Sequence, residues 1–157
     1  MKRHVFHYDI HEVAPFIDWS YFLHAWGVRT SQKAEAEELI DDAKKMLLSL
    51  EGIYRTHALF AVCNAHSRED NIIIEGTALP LLRQQHCHEG EYNLCLSDFV
   101  SPCEDKIGVF ATTVDSTFGH EYKHDEYLNI IAQAIADRLA EATATVMHRA
   151  VRTQKDL

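Results

Sequence analysis

The sequence predicts an α+β fold, a mainly antiparallel sheet with flanking helices that include a long C-terminal one, and three observations carry that expectation. The last quarter of the chain, from about Tyr122 to Arg152, repeats apolar residues at helical spacing. The middle holds short runs of strand-forming residues separated by polar or Gly/Pro-containing stretches. Strand and helix patterns do not alternate along the chain, which disfavours a doubly wound parallel sheet.

Taken in order, the aromatic-rich segment from Ala14 to Trp26 contains Asp18, placed to cap a short helix that runs toward Gly27. Its rings are expected to pack in a core. From Ser31 a second helix is marked by Ala36, Leu39, Ile40, Ala43, Leu47 and Leu50, with Gly52 as its stop. Acids early in this segment and Lys44-Lys45 later suit the helix dipole. Strands are expected over Thr56 to Cys63, Asn71 to Glu75, Leu94 to Val100 and Ile107 to Val114. In the final helix Tyr127, Ile131, Ile135, Leu139, Ala142, Val146 and Ala150 form the apolar stripe.

With 157 residues the chain falls in the range of one domain, and neither a repeat nor a linker divides residues 1–157. A formal charge of −9 repels nucleic acid and anionic lipid, so neither nucleic acid nor a membrane is expected as a partner. The 11 histidines imply that this charge shrinks toward pH 6. Met1-Lys2-Arg3 is followed by His4, His7, Asp9, His11 and Glu12 rather than by an apolar signal core, and no apolar run reaches the ~20 residues of a membrane span. A soluble, cytoplasmic protein is the expectation. Cys63, Cys87, Cys95 and Cys103 lack the dense spacing of a secreted disulfide scaffold, which suits free thiols in a reducing compartment.

Candidate chemistry is sparse. Asn129, Gln133, Asp137 and Glu141 recur every four residues and form a polar row beside the apolar stripe. Such a row is either a solvated helix face or a site for a cationic or hydroxyl-rich ligand. Arg138, three residues before Glu141, relieves repulsion between the acids. His86-Cys87-His88, with Cys95 and Cys103 downstream, offers zinc-type donors without the paired-cysteine spacing of structural zinc sites, so no metal site is expected. No cysteine stands in a nucleophile motif, and no glycine-rich phosphate loop is present.

Four blocks in series carry a resemblance. They are Phe16-Ile17-Asp18-Trp19 leading to Trp26, then Leu82-Arg83-Gln84-Gln85, then Asn93-Leu94-Cys95-Leu96-Ser97-Asp98-Phe99-Val100-Ser101-Pro102, and last His124-Asp125-Glu126-Tyr127 through Ala136-Asp137-Arg138-Leu139-Ala140-Glu141-Ala142. Between the last two lies Ile107-Gly108-Val109-Phe110-Ala111. Together they resemble the activation domain of cobalamin-dependent methionine synthase over nearly all of Phe16 to Arg152. The resemblance implies a twisted antiparallel sheet with helices. It implies a role in restoring the enzyme after its cob(I)alamin is oxidised to cob(II)alamin, with S-adenosylmethionine as methyl donor. Cobalamin would be held by a partner domain or protein, and flavodoxin or a similar reductase would supply an electron.

Carried over by position, Asp18 and Glu141 match family residues that contact S-adenosylmethionine. The assignment is chemically sound, because the ligand presents a sulfonium, an ammonium and ribose hydroxyls to carboxylates. Asp137 is left as a structural or solvent-facing residue, and no side chain is expected to act as a catalytic acid or base. The family pattern continues past the last helix to an Arg-x-x-x-Gly-Tyr segment, which the sequence to Leu157 does not reach. Three expectations stay open: the segment lies further on, another polypeptide supplies it, or this relative no longer binds the cofactor tightly. The last leads to an alternative of a different class, a non-catalytic docking module for a corrinoid-binding protein. A zinc protein using His86, Cys87 and His88 is a third.

Overall fold

The computed structural model describes residues 2–28, 32–88 and 90–153, and its first element is a strand that the sequence reading passed over. In β1 (Lys2–Asp9) Val5 and His7 are exposed while Phe6 and Tyr8 are half-buried, the alternation of a strand with one covered face. Asp9 then turns the chain into α1 (Ile10–Val13), where Asp9 and Glu12 form a reciprocal capping box. After a 3₁₀ turn at Ala14–Phe16 comes α2 (Trp19–Ala25), capped by Asp18 as expected. The second long helix, α3, spans Lys33–Leu50, and the expected start at Ser31 lies outside the described residues. Leu39, Ala43, Met46, Leu47 and Leu50 are its buried face.

The central strands are β2 (Arg55–Arg68), β3 (Asn71–Ile74), β4 (Thr77–Pro80) and β5 (Asp105–Val114). They join β1 in a five-stranded sheet ordered β1-β2-β3-β4, with β5 also paired to β2. β3 pairs antiparallel with β2, placing Ala65 opposite Ile74, and with β4, placing Ile74 opposite Thr77. Glu75 and Gly76 both have positive φ, 47° and 82°, the conformation that a two-residue hairpin turn of matching twist requires. The fold is therefore α+β, a mainly antiparallel sheet with flanking helices and a long C-terminal helix.

Leu94 to Val100 is a correction: the expected strand is a loop containing a 3₁₀ turn at Leu96–Phe99. The Asp98 carboxylate accepts the Cys95 backbone N–H at 2.9 Å, and the Ser97 carbonyl accepts from Val100. Side chain and local backbone thus satisfy groups that a ladder would otherwise pair. The last helix, α4 (Glu126–Thr153), begins four residues later than expected, because Tyr122 belongs to a separate 3₁₀ turn at His120–Tyr122.

The chain packs as two compact units, Met1–His4 with Phe60–Phe110, and Val5–Leu59 with Ala111–Leu157. In the second unit the apolar stripe of α4, with Ile131, Ile135, Leu139 and Ala142 fully enclosed, forms one core with Ile10, Val13, Ile17 and Phe22 and with the buried face of α3. Burying each such aliphatic side chain contributes about 1.5–3 kcal/mol. In the first unit Arg83 ties together distant loop positions. Its guanidinium donates to Asp70 at 2.7 and 2.9 Å, to Asp98 at 2.7 and 2.8 Å, and to the Asn93 carbonyl at 2.7 Å. Two of the blocks that carry the family resemblance, those containing Arg83 and Asp98, are thereby joined. Among the described residues no helix is long and apolar enough to cross a membrane.

Candidate functional site between α2 and α4

Asp18 is where α2 starts because its side chain accepts the Ser20 backbone N–H at 2.9 Å, satisfying one of the orphan donors of the first turn. The Ser20 hydroxyl donates to the same carboxylate oxygen. These bonds hold the exposed Asp18 carboxyl below its usual pKa, the Ser20 side chain first and its backbone second, with the positive charge of Arg138 adding to the effect. Asp18 is therefore a fixed anion at the head of a helix, and Arg138 of α4 supplies a counter-charge.

On α4 the Arg138 guanidinium forms an ion pair with Glu141, one helical turn on. It also lies 6.0 Å from the centroid of the Tyr21 ring on α2, a cation–π arrangement. Arg138 is thus a joint between the two helices, paired with Glu141, stacked on Tyr21 and acting on Asp18 through its charge.

Beside this joint a cleft of ≈ 420 Å³ opens between the two helices, of a size that accommodates a small organic ligand. Phe22 and Ala25 of α2 and Trp26 at its C-terminal cap face Ile130, Gln133, Ala134, Asp137 and Arg138 of α4 across it. The rings are braced: Phe22 packs with Trp19 edge to face at 5.5 Å, and Trp26 meets Tyr127 at 5.9 Å. An apolar, aromatic wall with an amide, a carboxylate and a guanidinium at its rim suits a ligand that is part heteroaromatic and part charged.

Neither Asp18 nor Glu141 lines the cleft itself. Of the polar row on α4, Gln133 and Asp137 do, whereas Asn129 is half-buried at the start of the helix. The sequence reading set Asp137 aside and gave Arg138 only the task of relieving repulsion, so both were missed as lining residues. The available signal was position, since Asp137, Arg138 and Glu141 lie in one block, with Arg138 and Glu141 one turn apart. Trp26 and Phe22 were read as core rings; Phe22 is buried, yet it shows an edge to the cleft.

His86, Cys87 and His88 lie on an exposed loop of the other unit, where the Cys87 thiol donates to the Glu91 carbonyl at 3.2 Å. Cys95 is buried and heads the 3₁₀ turn, while Cys103 is exposed. Among the described residues no three histidine, cysteine or acidic side chains converge to hold a metal ion.

The model of the family described as "Vitamin B12 dependent methionine synthase, activation domain" matches residues 9–155. The chain belongs to that family. The match contains both α2 and α4, and hence the entire cleft. Among solved structures, the crystal structure of the MetH reactivation domain bound to AdoHcy is 29% identical to this chain and superposes with a TM-score of 0.78. The alignment covers 97% of this chain and 55% of that one, so the activation-domain chain described here spans little more than half the length of its relative.

Proposed function

We propose that this activation domain supports reductive methylation in cobalamin-dependent methionine synthase, in the cytoplasm, with S-adenosylmethionine as methyl donor. Cob(II)alamin, carried by a corrinoid-binding domain or subunit of the enzyme, is the substrate: it takes one electron from flavodoxin or a similar reductase and a methyl group from the sulfonium, leaving S-adenosylhomocysteine. The observation that carries the reading is the likeness, over 97% of the chain, to a reactivation domain bound to AdoHcy.

The residues present fit the donor. The adenine ring matches the apolar wall of Phe22, Ala25 and Trp26, and the sulfonium and ammonium match a rim that bears Asp137, with Asp18 and Glu141 reached through Arg138. The domain's task is positioning. The carboxylates would orient the sulfonium so that its methyl group faces the corrinoid partner, and no proton need move in the transfer itself.

Calorimetric titration of the chain with S-adenosylmethionine, repeated with Glu141→Ala, tests this assignment. The expected result is measurable binding that weakens about tenfold or more in the variant, as for loss of a charge-assisted contact. Undiminished binding by Glu141→Ala would show that Glu141 is not a ligand contact. A chain that captures a corrinoid-binding partner without taking up S-adenosylmethionine would instead be the non-catalytic docking module.

A further inference from the structure

We propose that Arg138 is a resident counter-cation of this site, which a cationic ligand must displace from Glu141, so that Arg138 sets the preference for S-adenosylmethionine over its demethylated product. The inference rests on the proposed function and adds a specificity-determining residue to it.

Three geometrical facts lead there. Among the described residues that line the cleft Arg138 is the cation, and it is already committed to Glu141, the residue assigned to the ligand. Its side chain is 23% exposed and is held over Tyr21, whereas the Glu141 side chain is 56% exposed. The guanidinium therefore has a platform on which to remain when the flexible, wet partner swings to a ligand. Among the described residues, Lys44 of α3 lies over the Trp19 ring at 5.8 Å, Lys45 pairs with Asp42, and Arg149, further along α4, lies over the Phe16 ring at 4.4 Å. The charge of Arg138 also acts on Asp18.

Charge bookkeeping then gives the direction. Asp18, Asp137 and Glu141 against Arg138 leave two negative charges uncancelled around the cleft at neutral pH. S-Adenosylmethionine, with sulfonium and ammonium against one carboxylate, carries a net positive charge, while S-adenosylhomocysteine is a neutral zwitterion. Arg138 opposes the first more than the second. An exposed ion pair one turn apart is also weak enough for a ligand to exchange with it.

The test is calorimetric titration of both ligands into the unaltered chain, Arg138→Gln, Arg138→Met and Arg138→Lys, each at low and high salt, with circular dichroism confirming the fold. Removing the charge in either Arg138→Gln or Arg138→Met should tighten S-adenosylmethionine binding about two- to fivefold. S-Adenosylhomocysteine should change less, so the preference ratio rises, and the rise should shrink at high salt. Arg138→Lys should keep the original ratio. Equal weakening of both ligands would make Arg138 a scaffold residue, and unchanged affinities would make it a spectator; either result overturns the inference while leaving the proposed function intact. Failure of the unaltered chain to bind either ligand would remove the proposed function and this inference with it.

Discussion

The Asp18 carboxylate accepts the Ser20 backbone N–H and also faces the charge of Arg138, so the cap and the electrostatics can be separated by substitution. An asparagine caps a helix about as well as an aspartate but carries no charge. Asp18→Asn is therefore expected to keep the melting temperature near that of the parent while weakening S-adenosylmethionine binding, whereas Asp18→Ala lowers both. Scanning calorimetry alongside ligand titration reads the two effects. Equal loss of thermal stability in both variants would mean that the charge, rather than the cap, holds the start of α2.

α4 carries most of the site and much of the core, and its entry depends on a glycine. Gly119 has φ +73°, and a Cβ built there would stand 2.6 Å from the Ala132 Cβ on α4. Backbone strain and overlap add, and neither neighbour is the flexible end of a long side chain. Gly119→Ala is expected to destabilise the fold by about 1–3 kcal/mol, measured by urea unfolding. At Gly108 an added Cβ would meet only the edge of the Phe60 ring, at 2.9 Å, which can rotate away. Gly108→Ala should be the milder change, and the reverse ranking would contradict the packing described here.

Across the molecule, both compact units bury apolar side chains, but ion pairs tie the loops of one of them. The unit containing α3 and α4 is held by a continuous apolar core, which pH hardly touches. The loops of the other unit are tied by Arg83, whose hydrogen bonds hold the Asp98 carboxyl down to about 2, with the Cys95 N–H second and the guanidinium charge adding to them. A depressed carboxylate contributes stability that is present above its unfolded pKa and lost as pH falls through its folded one. Between about pH 4 and pH 2 the loop around Asp98 should therefore loosen while the helical core persists. Carbon NMR titration of the Asp98 carboxyl is expected to show the low midpoint, and Arg83→Ala to raise it toward the ordinary carboxylate range, the Cys95 N–H keeping it somewhat below. An unshifted midpoint in that variant would remove Arg83 as the cause.

Helical periodicity needs only neighbours three and four residues apart, so the buried faces of α3 and α4 were legible from the chain alone, as was the capping role of Asp18. Short apolar runs were less informative. Leu94 to Val100 has strand-like composition, yet Asp98 folds back onto the Cys95 N–H and the segment turns. β1 and β4 escaped notice because exposed edge positions such as Val5 and Leu79 mix apolar with polar residues and lack a clean alternation. The ordered blocks pointed to the family, to Asp18 and to Glu141, since those signals are carried by residue identity and position. That the charge of Arg138 acts on Asp18, and that Asp137 and Gln133 line a cleft against Trp26, was decided only by tertiary structure. α2 and α4 are separated by about a hundred residues of chain, and only the packing of their apolar faces sets which polar groups meet at the rim.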